Sequence, residues 1–144
     1  MKVQPDAPIL LALVVQDLDR SVRFYQDILG MKEIKRVAVS DEKAVKGGFS
    51  AKGFNFRTFR TGPLALKLVE VAGKPAPTQG LVDTHMGVRY IAFAVEDIDA
   101  VHQQLAEAGV EFSSEILPPE PDQGIGRLVF FQDPDGNLLE LYGD

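Results

Sequence analysis

The chain is written twice. Aligning Asp17 on Asp97 superposes Val15-Gln16-Asp17-Leu18-Asp19 on Val95-Glu96-Asp97-Ile98-Asp99, an offset of 80 residues. The match runs backwards through "LLALVV" and "YIAFAV" and forwards to Leu29-Gly30-Met31 and Ala108-Gly109-Val110. A repeat of this size restricts a chain of 144 residues to two copies of one supersecondary unit.

Each copy carries the same order of signals. An apolar strand ends in an acidic helix cap, where Asp17 or Asp19, with Ser21 as a further candidate, and then Asp97 and Asp99 are placed to accept free N–H groups of the first turn. Val22, Tyr25 and Leu29, and then Ile98, Val101, Leu105 and Ala108, recur at roughly helical spacing. Gly30 and Gly109 supply the left-handed residue that ends a helix. Strand-like runs follow over 33–39, 54–61 and 64–71 in the first copy. In the second they cover 110–117, 127–132 and 138–142, the last after the turn "DPDGN". Each half therefore reads as β-α-β-β-β. Residues 1–72 form the first module, the Pro/Gly/Thr-rich stretch 73–88 is the linker, and 89–144 form the second module. Ser40 to Gly53 and Pro118 to Gly126 read as long loops.

Composition removes several function classes. A net charge of −6 and a pI near 4.9 leave no broad basic footprint for nucleic acid, so an acidic small molecule has to be met by local basic residues. The absence of cysteine excludes disulfides, thiolate metal sites and a thiol nucleophile. The most apolar early run, Ile9 to Val15, covers only seven residues between Asp6 and Asp17, too short for a membrane span or a signal peptide. A cytoplasmic protein without a membrane partner is expected.

Three stretches, "VVQDLDRSVRFYQDILGM", "YIAFAVEDIDAVHQQLAEAGVEF" and "FFQDPDGNLLELYG", occur in this order over nearly the whole chain. Together they resemble the vicinal oxygen chelate superfamily, which includes glyoxalase I, bleomycin-resistance proteins and extradiol dioxygenases. The resemblance implies an α+β fold in which two βαβββ modules form a curved eight-stranded mixed sheet around a cavity, and it implies a homodimer.

Metal enzymes of that superfamily take ligands from the first and fourth strands of each module. Carried over by position, these fall on Leu10 and Tyr90, seven residues before the aspartate of each D-[LI]-D motif, and on Lys67 and Glu140. Only Glu140 matches the expected ligand type. Leucine has no lone pair, lysine binds metal only as the neutral amine, and one tyrosine with one carboxylate falls short of three protein ligands. His102 reads as solvent-facing on the second helix and His85 lies in the linker. No metal and no other cofactor is expected.

The strand period of two places Leu10, Ala12 and Val14 on one face, with Ala65, Lys67 and Val69 beside them. In the second module it places Tyr90, Ala92 and Ala94 with Leu138, Glu140 and Tyr142. Small alanines leave room for a mostly apolar pocket in which Lys67, Tyr90 and Glu140 are the convergent polar groups. The resemblance implies that the two homologous strands face each other across the cavity, where Lys67 and Glu140 either form a buried ion pair in place of a metal or, with Tyr90, move protons on a ligand. Arg57, Arg60, Arg89 and Arg127 are further candidates to tether an anion, each more simply read as an outer strand residue. Phe54, Phe56, Phe59, Phe130 and Phe131 read as core or cavity lining.

The expected function is a glyoxalase/bleomycin-resistance-like protein that binds a small organic molecule. Two alternatives stand beside it. One is a metal-independent isomerase or lyase using Lys67, Glu140 and Tyr90. The other is a metal-dependent enzyme resembling lactoylglutathione lyase or a dioxygenase.

Overall fold

The computed structural model describes residues 4, 6–76 and 81–144. The chain divides into two compact units, Met1–Ala76 and Pro77–Asp144.

In the first unit, β1 (Ile9–Val14) leads into α1 (Leu18–Val22), which continues as a wider helical turn over Arg23–Ile28. The Asp17 carboxylate accepts the Arg20 N–H at 2.9 Å, and Gly30 takes the stop at φ 71°. Within the wider turn the Leu29 N–H reaches back to the Phe24 carbonyl at 3.0 Å, an i→i+5 bond. That register buries Phe24 and Tyr25 together, edge to face at 5.2 Å. The strands β2 (Lys32–Val39), β3 (Phe54–Thr61) and β4 (Leu64–Val71) complete a sheet of order β1-β4-β3-β2. Its β1–β4 pair is parallel and the others are antiparallel. The Glu70 carboxylate on β4 accepts the Leu18 N–H at 2.8 Å and pins the helix to the sheet.

The second unit repeats the plan. β5 (Tyr90–Val95) is followed by α3 (Ile98–Glu107), capped by Asp97 onto the Ala100 N–H at 2.9 Å and stopped at Gly109, φ 87°. β6 (Arg127–Gln132) and β7 (Leu138–Gly143) give the order β5-β7-β6, with β5 parallel to β7. Between them Asp133 folds the turn: its Oδ1 accepts the N–H groups of Asp135 and Asn137, and its Oδ2 accepts the Asn137 amide. Each core lies between the sheet and its helix. Leu66, Leu68 and Phe59 fill the first; Leu139, Leu141, Phe131 and Ile98 fill the second.

The mixed α+β fold with two repeated modules is as expected, with three local differences. Residues 110–117 do not pair as a full strand. Antiparallel bridges at Phe112↔Phe131 and Leu117↔Leu128 hold the eighth-strand position beside β6, so the sheets have four and three strands. The polar run Ser113-Ser114-Glu115 interrupts the apolar alternation, and Pro118-Pro119 removes two donors beyond it. The segment 40–53 is not loop throughout: Ser40 accepts the Lys43 N–H and starts α2 (Asp41–Lys46). Residues 118–126 contain a short 3-10 turn, Pro121–Gln123, closed by a Glu120↔Ile125 bridge. Residues 77–80 of the expected linker lie outside the described residues, and 81–88 contain neither strand nor helix. No helix among the described residues is long and apolar enough to cross a membrane.

Candidate functional site

In the first module the pairing register sets Leu10 beside Ala65, Ala12 beside Lys67 and Val14 beside Val69. β3 adds Thr58 beside Lys67 and Phe56 beside Val69. The six residues expected to share a face therefore share it. The opposite face carries Leu66 and Leu68, buried against the helix. Leu10 and Val14 are exposed by 53% and 50%, large apolar side chains left open on a sheet face. The Lys67 Nζ sits 4.2 Å from the centroid of the Phe56 ring, within cation–π range. Among the described residues of its own module Lys67 faces no carboxylate in hydrogen-bond or ion-pair contact.

In the second module Tyr90 lies beside Leu138, Ala92 beside Glu140 and Ala94 beside Tyr142, with Phe130 beside Glu140 on the other flank. Tyr90 packs edge to face on Phe130 at 5.4 Å. Glu140 is 9% exposed and, among the described residues of its module, has neither a hydrogen bond nor an ion pair. Burial pushes its carboxyl above the ordinary glutamate value. Leu138 is buried with it, while Tyr142 and Ala92 remain exposed. A desolvated carboxyl without a donor, flanked by alanine and aromatic rings, is suited to receive a polar group of something else.

The four positions where the superfamily's metal enzymes take ligands hold Leu10, Lys67, Tyr90 and Glu140. That donor set does not fit a divalent metal. Leu10 offers nothing, and the Lys67 head is engaged with a ring. Among the described residues no three His, Asp or Glu side chains are grouped to hold an ion. His102 is not solvent-facing as the helical pattern implied: half-buried, it stacks on Phe112 at 4.0 Å, because the segment after α3 folds back over the helix. His85 meets its neighbour Thr84 through Nδ1 at 3.0 Å.

The arginines have structural partners. Arg57 and Arg36 both bond the Glu33 carboxylate, which they hold down at a pKa of about 2. Arg127 forms a two-pronged pair with Asp99 at 2.7 and 2.9 Å. Arg60 donates to the Gly62 carbonyl, and Arg89 to the Leu81 carbonyl and the Thr84 hydroxyl. Arg57 and Arg127 also alternate away from Lys67 and Glu140, on the opposite faces of their sheets.

The sequence reading missed two details. It treated Phe56 and Phe130 as lining without seeing that they bracket Lys67 and Tyr90. It also passed over Thr58 beside Lys67. The signal was present in "FNFRTFRT", whose period of two selects Phe54, Phe56 and Thr58 for one face.

The fold agrees with the comparisons to known proteins. The chain is 29% identical to an uncharacterized Escherichia coli protein, YaeR, over 92% of each chain. It is 27% identical to Leishmania major glyoxalase I, with a TM-score of 0.66 over 93% of this chain and 84% of that one. A glyoxalase family protein from Bacillus cereus superposes with a TM-score of 0.77 over 99% of this chain and 96% of that one; at 21% identity it bears on the fold alone. The family profile described as Glyoxalase/Bleomycin resistance protein/Dioxygenase superfamily matches residues 9–141, from the first residue of β1 almost to the end of β7. On that span, and on two modules with the same strand order, the chain belongs to the glyoxalase/bleomycin resistance protein/dioxygenase superfamily.

Proposed function

We propose that this chain is a small-molecule-binding member of its superfamily, acting as a homodimer and holding a partly apolar organic molecule against the sheet faces that carry Lys67 and Glu140, without a metal at the four ligand positions. One observation carries the reading. Among the described residues, a cation and a carboxyl, Lys67 and Glu140, each stand on a mostly apolar sheet face with no oppositely charged side chain in contact in their own module. Polar groups at such positions cost stability unless something pairs with them, and a ligand supplies the partner. Leu10, Ala12, Val14, Ala65 and Val69 on one face, and Ala92, Leu138 and Tyr142 on the other, supply apolar contact. The open surface of Leu10, Val14, Tyr90 and Tyr142 supports the homodimer, because a second copy removes it from water.

The test is a panel of small organic acids, ketones and amines, followed in one tube by ligand-observed NMR for binding and for product. Saturable binding without product is expected for the wild type. Lys67→Met and Glu140→Gln are each expected to weaken it about tenfold, the effect of losing roughly 1.4 kcal/mol.

A second reading, a metal-independent isomerase or lyase, is favoured by the raised carboxyl of Glu140, since burial that raises a carboxyl makes it a stronger base than an ordinary glutamate. In it Glu140 exchanges the proton while Lys67 and Tyr90 polarise a ligand oxygen. If both variants keep binding and lose product, the enzyme reading replaces the first.

A further inference from the structure

Alternation along β3 places Phe54 and Phe56 on the face of the first sheet that bears Lys67, beside Val71 and Val69 of β4. Their ring centroids are 6.4 Å apart. A third ring, Phe49, arrives from the segment after α2 and meets Phe54 edge to face at 5.8 Å. Three rings thus lead away from the Lys67 Nζ, which itself lies over the first of them at 4.2 Å.

The segment that brings Phe49 there is built for the purpose. Ser40 caps α2, and the Asp41 carboxylate accepts the Gly53 N–H at 2.6 Å, closing the excursion between β2 and β3. A Cβ on Gly47 would stand 2.2 Å from the Phe49 Cε1 and 2.6 Å from its Cδ1, so only glycine leaves room for the ring in this position. A Cβ on Gly53 would meet the Val39 carbonyl at 2.3 Å. The ring held in this way is not core: Phe49 remains 56% exposed.

We infer that the ligand of the Lys67 face is an aromatic acid of two-ring size, its anionic group on Lys67 and its far ring against Phe54 and Phe49. The inference rests on the binding reading proposed above and names its ligand class. The charge follows from the lysine, which meets no carboxylate in its module. Ring number follows from spacing: side chains two apart on a strand face are separated by about 6.6–6.8 Å. An acid group at Lys67 therefore sets a first ring at the edge of Phe56, which is 9% exposed, and needs a second to reach Phe54. Preference for an aromatic over an aliphatic body follows from ring pairs held at 4.5–7 Å, which favour a further ring beyond the area it covers.

The probes are 2-naphthoate, its saturated counterpart decalin-2-carboxylate, and 2-naphthylmethylamine. The chain has no tryptophan, so naphthalene fluorescence reports binding directly. Naphthoate is expected to bind about three- to tenfold tighter than decalin-2-carboxylate, and the amine not to bind. Phe49→Leu and Gly47→Ala should each bring the ratio of naphthoate to decalin-2-carboxylate affinity close to one, and Phe49→Tyr should keep it. Circular dichroism melts check that Phe49→Leu, at an exposed position, is folded. Equal affinities for the two acids, insensitive to Phe49, overturn the aromatic ladder and leave the Lys67 reading standing. Absence of binding by both acids, or binding untouched by Lys67→Met, overturns the reading on which it rests.

Discussion

The carbonyl oxygen of Val95, at the end of β5, lies where a side chain on Gly143 would begin: a Cβ built there stands 2.1 Å from it. The two residues are partners in the parallel β5–β7 pair, and the next carbonyl along, that of Asp144, accepts the Ile98 N–H that opens α3. The closing glycine thus lets the last strand and the start of the helix meet. Gly143→Ala should destabilise the chain by about 1–3 kcal/mol, the range for overpacking. Denaturant melts at fixed pH check this, and an unchanged midpoint would show that the strand end relaxes freely.

The turn before β7 should be equally sensitive. Asp133, 5% exposed, accepts three hydrogen bonds from Asp135 and Asn137 at 2.8–3.0 Å. Asp133→Ala leaves those donors without their acceptor and should cost about 1–3 kcal/mol. Because the same turn sets where β7 enters the sheet, ligand affinity at Glu140 should fall with stability.

Much of this was legible in the sequence, for identifiable reasons. The bounds of β3 and β4 match the expected runs, because the turn Thr61-Gly62-Pro63 and the alternation on either side leave one register. Asp17 and Asp97 cap their helices as read. What escaped depends on contacts distant in the chain or on weak local patterns. α2 buries only Ala44, too little periodicity to separate it from a loop. The strand expected over 110–117 reduced to bridges, since Ser113-Ser114-Glu115 interrupts its apolar alternation and Pro118-Pro119 cut the ladder. Face assignment for Lys67 and Glu140 followed from period two, whereas the rings beside them belong to other strands that only the pairing register brings near.

Glu140 and Glu33 predict opposite pH behaviour. Burial raises the folded-state value of Glu140 above its unfolded one, so its favourable contribution is complete below the unfolded value and is lost as pH rises through the folded one. In the ligand-free protein Glu140→Gln should therefore be as stable as wild type in acid and more stable at neutral pH. A variant less stable at neutral pH would instead reveal a paired carboxylate.

Glu33 runs the other way. Hydrogen bonds from Arg57 and then Arg36 lower its value from 4.5 to about 2, so its contribution is present above 4.5 and is lost as pH falls towards about 2. Glu33→Gln should cost about 1–2 kcal/mol at pH 7, with the difference closing through that window. Urea melts from pH 7 downwards measure the convergence, and a constant offset would assign the loss to packing.

The central claim is that Lys67 and Glu140 are each ligand contacts and that the positions where the superfamily's metal enzymes take ligands hold no ion. Elemental analysis of untagged protein, coupled to ligand affinity before and after exhaustive chelation, tests it most directly. Metal well below one ion per chain and an affinity unchanged by chelation are predicted. One Ni, Zn, Mn or Fe per chain, with binding lost on its removal and restored on its return, would contradict the account.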